Sequence, residues 1–140
     1  MLIAGFIFIT TSCKKDEPMS VVPTLELISA TPTTVHEFTD SIKFVIKYTD
    51  ADGDLGENNS SIHNLFVKDS RISTEYGFRV EQLAPTNSTI AIEGTLNVML
   101  PPTGITNGSS SQTATFSIYM YDRAGNKSNT VTSPSLTIVP

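Results

Sequence analysis

The stretch Ser41–Thr49, SIKFVIKYT, decides the fold. Ile42, Phe44, Ile46 and Tyr48 fall on one face, and Lys43 and Lys47 fall on the other. Successive side chains of a β-strand point to opposite faces, so strict alternation marks a strand with one buried side. The same rhythm recurs to either side. Thr24–Ala30 turns Leu25 and Leu27 one way, Leu65 and Val67 belong to a third strand, and Tyr76, Phe78 and Val80 to a fourth. Ile90–Leu100 carries Leu96, Val98 and Leu100 in phase, with Gly94 the expected site of a bulge. Thr113–Tyr121 alternates Phe116, Ile118 and Met120 against Ser117, Tyr119 and Tyr121. Thr130–Val139 is interrupted by Pro134, which predicts an edge strand or a bulge. No window of eleven residues carries a helical stripe. About seven short strands separated by turn residues predict an antiparallel β-sandwich over residues 24–140. Its core is predicted to hold Phe44, Ile46, Leu65, Val67, Phe78, Leu96, Val98, Phe116 and Ile118.

Composition agrees with one such domain. The chain has 140 residues, 39% hydrophobic and 16% charged. Ser and Thr together number 35, a β-rich and helix-poor balance. A domain of this size buries roughly two-thirds of its unfolded surface and folds without a metal or disulfide staple. Nine Lys and Arg against fourteen Asp and Glu argue against nucleic acid as a partner, since its binding needs clustered positive charge.

The N-terminus reads as an address. Leu2–Ile9 is an unbroken apolar run. As a helix it spans only about 15 Å, half a bilayer core, which is the size of a signal-peptide core rather than of a membrane anchor. Cys13 is the only cysteine, so no disulfide forms within the chain. The run Thr10-Thr11-Ser12-Cys13 resembles a bacterial lipobox, although a lipobox favours Leu where Thr10 stands. The resemblance implies a signal peptide over 1–12 and a lipid on Cys13. Lys14-Lys15-Asp16-Glu17 is similar to the charged start of Bacteroidota surface lipoproteins. That implies anchoring in the outer membrane, on its surface or periplasmic face. Residues 13–23, with two prolines, then read as a tether.

Tyr119 to Ser128 ends in Asp122-Arg-Ala-Gly125-Asn126-Lys-Ser128. This resembles the last hairpin of bacterial Ig-like and fibronectin-like domains and implies an Ig-like sandwich. Gly125 and Asn126 both tolerate the positive φ that a tight hairpin needs.

The densest polar motif is Asp50-Ala-Asp52-Gly53-Asp54-Leu55-Gly56-Glu57, with four acids and no base. Aspartates at alternate positions, with glycine letting the backbone fold inward, suit a hard cation bound by several oxygens at about 2.4 Å. The EF-hand pattern fails, since Leu55 stands where glycine is needed and Ser61 where glutamate is needed. The motif instead resembles the Asp-x-Asp-Gly-Asp loops of cadherin-like extracellular sandwiches, which implies calcium. The alternative is a solvated acidic turn. Walking up and down through the strands brings Asp50–Asn59 and Asp122–Ser128 to one pole. Asp50, Asp52 and Asp54, with Asp122 or Asn126, are therefore the candidate calcium ligands.

Asp40-Ser41-Ile42 resembles a Bacteroidota O-glycosylation motif, implying a glycan on Ser41; the alternative is an ordinary hydroxyl at a strand start. No nucleophile or metalloprotease motif occurs, His36 and His63 are isolated, and no spacing makes Glu75, Glu81 and Glu93 a glycosidase pair. The reading is a lipid-anchored, non-catalytic binding or assembly module of the cell envelope, with an envelope protein or glycan as partner. Outward-facing Tyr119 and Tyr121 offer faces for a sugar. The alternatives are a structural spacer or adhesin-type domain, and a small hydrolase.

Overall fold

The computed structural model describes residues 18–140; the expected signal peptide over 1–12, Cys13 and the Lys14–Glu17 stretch lie outside the described residues. Among the described residues ten strands form, and no helix. In chain order they are β1 (Thr24–Thr31), β2 (Thr34–His36), β3 (Ile42–Asp50), β4 (Leu65–Asp69), β5 (Glu75–Phe78), β6 (Ile92–Leu100), β7 (Gln112–Ala114), β8 (Phe116–Met120), β9 (Val131–Thr132) and β10 (Leu136–Val139). One layer is the sheet β1-β3-β6. The other is built from β2-β10-β7 and β5-β4-β8-β9, which join where β7 runs on into β8 and β9 into β10. Every pairing is antiparallel except β2 with β10.

The count exceeds seven for local reasons. Pro134 has no N–H to give a ladder, so the last strand splits into β9 and β10. Ser133 repairs the break: its N–H donates to the Phe116 carbonyl at 2.9 Å, and its Oγ accepts from the Phe116 N–H at 3.0 Å. Thr115 divides β7 from β8 at the same level, and β2 is too short for alternation to show. The predicted bulge at Gly94 is absent. β3 and β6 pair without a break from Ile42–Leu100 to Asp50–Ile92. Gly94 is needed because it lies opposite Tyr48, whose Oη would stand 2.6 Å from an added Cβ. The bulge lies in β1, between Leu27 and Ser29, and leaves Ile28 55% exposed.

Alternation fills the core as predicted for Phe44, Ile46, Leu65, Val67, Val98, Phe116 and Ile118, all buried. Phe78 and Leu96 are only partly buried, because β5 and β6 are the edges of their sheets and have no neighbour on one side. Phe44 and Phe116 meet across the layers, ring centroids 5.6 Å apart at 55°. Asn129 stitches the layers at one margin, its side chain accepting from Leu25 N–H at 2.7 Å and donating to the Leu25 carbonyl at 2.9 Å.

β3 ends at Asp50 and β8 ends just before Asp122, so both following loops sit at one pole, as the strand walk predicts. The chain enters the domain there too, Ala51 N–H donating to the Ser20 carbonyl at 3.0 Å. It leaves at the other pole, where Glu37 N–H donates to the Val139 carbonyl at 2.7 Å.

Candidate metal centre

Strand parity places the first carboxylate. Ile42, Phe44, Ile46, Tyr48 and Asp50 share the inward face of β3, so the strand ends by turning an aspartate toward the core. Asp50 is fully buried. An ionised carboxylate in that position is costly unless a partner compensates it. Its Oδ2 accepts from Leu55 N–H at 3.0 Å, and its Oδ1 has no partner among the described residues. Leu55, also fully buried, closes the loop against the core.

The loop folds inward on its two glycines. Gly53 and Gly56 have φ of +71° and +94°, and a Cβ on either would lie 2.3 Å from a backbone carbonyl oxygen, of Ile90 and Glu81 respectively. Only glycine allows both the left-handed turn and this approach. The result gathers Asp50, Asp52 and Asp54, each offering one oxygen within 4.8 Å of the others. One oxygen of each, Oδ1, is buried without a hydrogen-bond partner among the described residues. Burial, then the Asp52 carboxylate beside it, pushes the Asp50 carboxyl up to about 6. Burial, then the charges of Asp122 and Asp52, raises Asp54.

The last hairpin meets this loop. Arg123 N–H donates to the Asp54 carbonyl at 3.2 Å, Ala124 N–H to Asp54 Oδ2 at 3.1 Å, and Arg123 Nη1 to the Gly56 carbonyl at 3.0 Å. Asp122 and Asn126 are engaged with each other instead. Asp122 Oδ1 accepts from Asn126 N–H at 2.7 Å and its Oδ2 from Asn126 Nδ2 at 2.8 Å. Asp122 thus borders the three aspartates as a nearby charge, outside the group whose oxygens converge. Of the two residues that tolerate positive φ in the hairpin, Gly125 takes it, at +89°, and Asn126 does not.

Other candidates stand apart. Ser41 is partly exposed at the start of β3, and its neighbour Asp40 accepts from His36 N–H at 2.8 Å. Glu75 Oε2 accepts from Tyr119 Oη at 2.9 Å, Glu81 pairs with Arg79 at 3.0 Å, and Glu93 lies on β6 in the opposite layer. Sequence reasoning missed the Asp69–Arg71 pair, buried beneath the end of β4. The Asp-Ser-Arg spacing is too common to signal it. A search of protein-family models, of curated proteins and of solved structures finds no match to this chain.

The Asp50 shift has a sign. Unfolded, an aspartate titrates near 3.8; folded and metal-free, Asp50 titrates near 6. The folded state therefore binds the proton more tightly, so Asp50 increasingly destabilises the fold as pH rises from about 4 to 6, and fully above that. In chelator, Asp50→Asn is expected to be more stable than wild type at pH 7, with the gap closing below pH 4. Thermal midpoints against pH measure it; a gap independent of pH defeats the assignment.

Proposed function

We propose that this chain is a non-catalytic β-sandwich module of the bacterial cell envelope, lipid-anchored in the outer membrane through Cys13, with calcium stiffening its acidic pole. Its role is binding or assembly, with a glycan or envelope protein as partner. One observation supports the metal above all: among the described residues three carboxylate oxygens are buried without a donor, one of them on fully buried Asp50. No hydrogen bond from a described residue compensates them, and a hard cation would. Asp50, Asp52 and Asp54 would hold it, with waters and loop carbonyls completing the shell.

Calcium that binds only the folded form raises stability by mass action, about 2.7 kcal/mol at a hundredfold excess over Kd. Thermal unfolding in millimolar calcium is expected to shift well above the chelator value for wild type, and not for Asp52→Ala. The shift is expected to shrink but survive in Asp122→Ala, whose carboxylate neighbours the group without joining it. An equal midpoint with and without calcium in the wild type reduces the loop to a solvated turn.

The anchor has its own test. Full-length protein expressed in a diderm bacterium is expected to take up labelled fatty acid and partition into detergent, and Cys13→Ala to do neither. Equal labelling of both removes the lipid.

A further inference from the structure

On the outer face of the β5-β4-β8-β9 sheet, three aromatic rings form a cluster. Phe66 on β4 stacks on its cross-strand partner Tyr119, centroids 5.5 Å apart at 21°. Tyr121 meets both edge-on, at 6.1 Å from Phe66 and 5.9 Å from Tyr119. Sheet pairing accounts for Phe66 and Tyr119. Tyr121 continues the ladder one residue past β8, its N–H donating to the Asn64 carbonyl at 2.8 Å and its backbone bridging Lys127, and its ring with Phe66 walls a recess of about 180 Å³. The recess opens between the acidic loop and the last hairpin, with Glu57, His63 and Arg123 at its polar side.

These walls are fixed in place. Asn64 spends its side-chain amide on the backbone of Val80, accepting at 2.7 Å and donating at 3.1 Å. The His63 ring packs against Gly77, where a Cβ would lie 2.5 Å from its Nδ1. Arg123 is held through Nη1 on the Gly56 carbonyl, and its Nη2 and Nε donate to no other described residue. Among the described residues Glu57 uses only Oε1 of its carboxylate, on Asn59 N–H at 2.8 Å. No ion pair joins Arg123 to Glu57 or Asp122 among the described residues.

From this we infer that the recess is a subsite for one pyranose unit of a carbohydrate chain. The inference deepens the binding-module reading and rests on it. A pyranose presents an apolar C–H face and a rim of hydroxyls that both donate and accept. Aromatic walls with a few fixed polar groups match that split surface. Other ligand classes fit less well. Arg123 is offset by Glu57 and Asp122, so no surplus positive charge selects a phosphate or carboxylate. β4 and β8 are both interior strands, so no free edge lies here for an extended peptide to extend. The cavity is also smaller than the roughly 300–1,000 Å³ that encloses a whole organic ligand, which suits one unit of a chain that continues into solvent.

Native gel electrophoresis through soluble mannan, xylan, β-glucan and α-glucan tests it, followed by titration of the matching hexasaccharide. Wild type is expected to be retarded in at least one gel. Tyr121→Ala and Phe66→Ala are each expected to weaken the hexasaccharide at least about tenfold, with Tyr121→Phe close to wild type, since the ring face is what counts. Met99→Ala, on the opposite layer, is expected to bind as wild type. Folding is checked by the thermal midpoint, and Arg123→Gln serves if an aromatic truncation unfolds the domain. No retardation in any gel, or retardation unchanged in every recess variant, overturns the subsite. A calcium shift that persists in that case leaves the metal reading standing; binding that persists without a calcium shift removes the metal and keeps the subsite.

Discussion

Arg71→Met is expected to cost about 3–5 kcal/mol of unfolding free energy, because it strands a buried charge. Asp69 is fully buried at the end of β4, and the Arg71 side chain is only 4% exposed. The guanidinium grips Asp69 with two nitrogens, Nε at 3.0 Å and Nη2 at 2.7 Å. Its other donors reach the Gly104 carbonyl at 2.9 Å, Thr103 Oγ1 at 2.9 Å and Gln112 Oε1 at 3.2 Å. One side chain thus fastens the end of β4 to the 103–104 loop and to β7. Removing it leaves the Asp69 carboxylate, among the described residues, with only the backbone N–H of residue 71, at 2.9 Å, in place of the bidentate cation. A loss of that size is a large fraction of the 5–15 kcal/mol typical of a whole domain. Urea unfolding measures it. The double variant Asp69→Leu/Arg71→Met, which removes both charges, is expected to recover most of the loss. A single-variant cost below about 1 kcal/mol means the pair is solvated and the clamp idle.

Phe116→Ala is expected to be as damaging by a different route, at about 3–5 kcal/mol through the cavity it leaves. Phe116 opens β8 fully buried, packs against Phe44 from the opposite layer and pairs with Asp69 on β4. Both layers therefore lose contacts at once. Phe116→Leu, which keeps most of the volume, is expected to cost less. A loss under about 1 kcal/mol for the alanine variant would show that the site collapses freely, contrary to a ring packed on all sides.

The two variants mark what sequence made legible. Phe116 was readable because alternation is a one-dimensional pattern: Phe116, Ile118 and Met120 recur at every second residue and emerge buried together. Arg71 was not, since its value lies in partners 32 to 41 residues away that no local pattern connects. The acidic loop falls between these cases. Its Asp-x-Asp-Gly-Asp spacing pointed to a cluster of carboxylates, but the inward turn of Asp50 went unread, because β3 runs one residue further than alternation ending at Thr49 suggested. What spacing did not give was the pairing of Asp122 with Asn126, because a hairpin carboxylate reaches its own turn more readily than a neighbouring loop. The misjudged Gly94 makes the same point. A glycine inside a strand signals either a bulge or a close approach. Only the register, with Tyr48 opposite, decides between them. The edge positions Phe78 and Leu96 were placed too deep for a related reason, since alternation tells which face a residue takes and not how many strands flank it.

The entry and exit of the chain at opposite poles give the domain a mechanical character. A pull between its two ends draws β1 out by its first residue and β10 out by its last, each along its own axis. β1 is held to β3 by pairs from Thr24–Thr49 to Thr31–Lys43, and β10 is held on both sides, by β2 and β7. Force applied in that direction shears whole ladders at once instead of unzipping them one rung at a time. The acidic loop, tied to the incoming chain at Ser20 and Ala51, sits where tension first enters the fold. An ion held there would act as a clasp, and removing it would lower the force at which the first ladder slips.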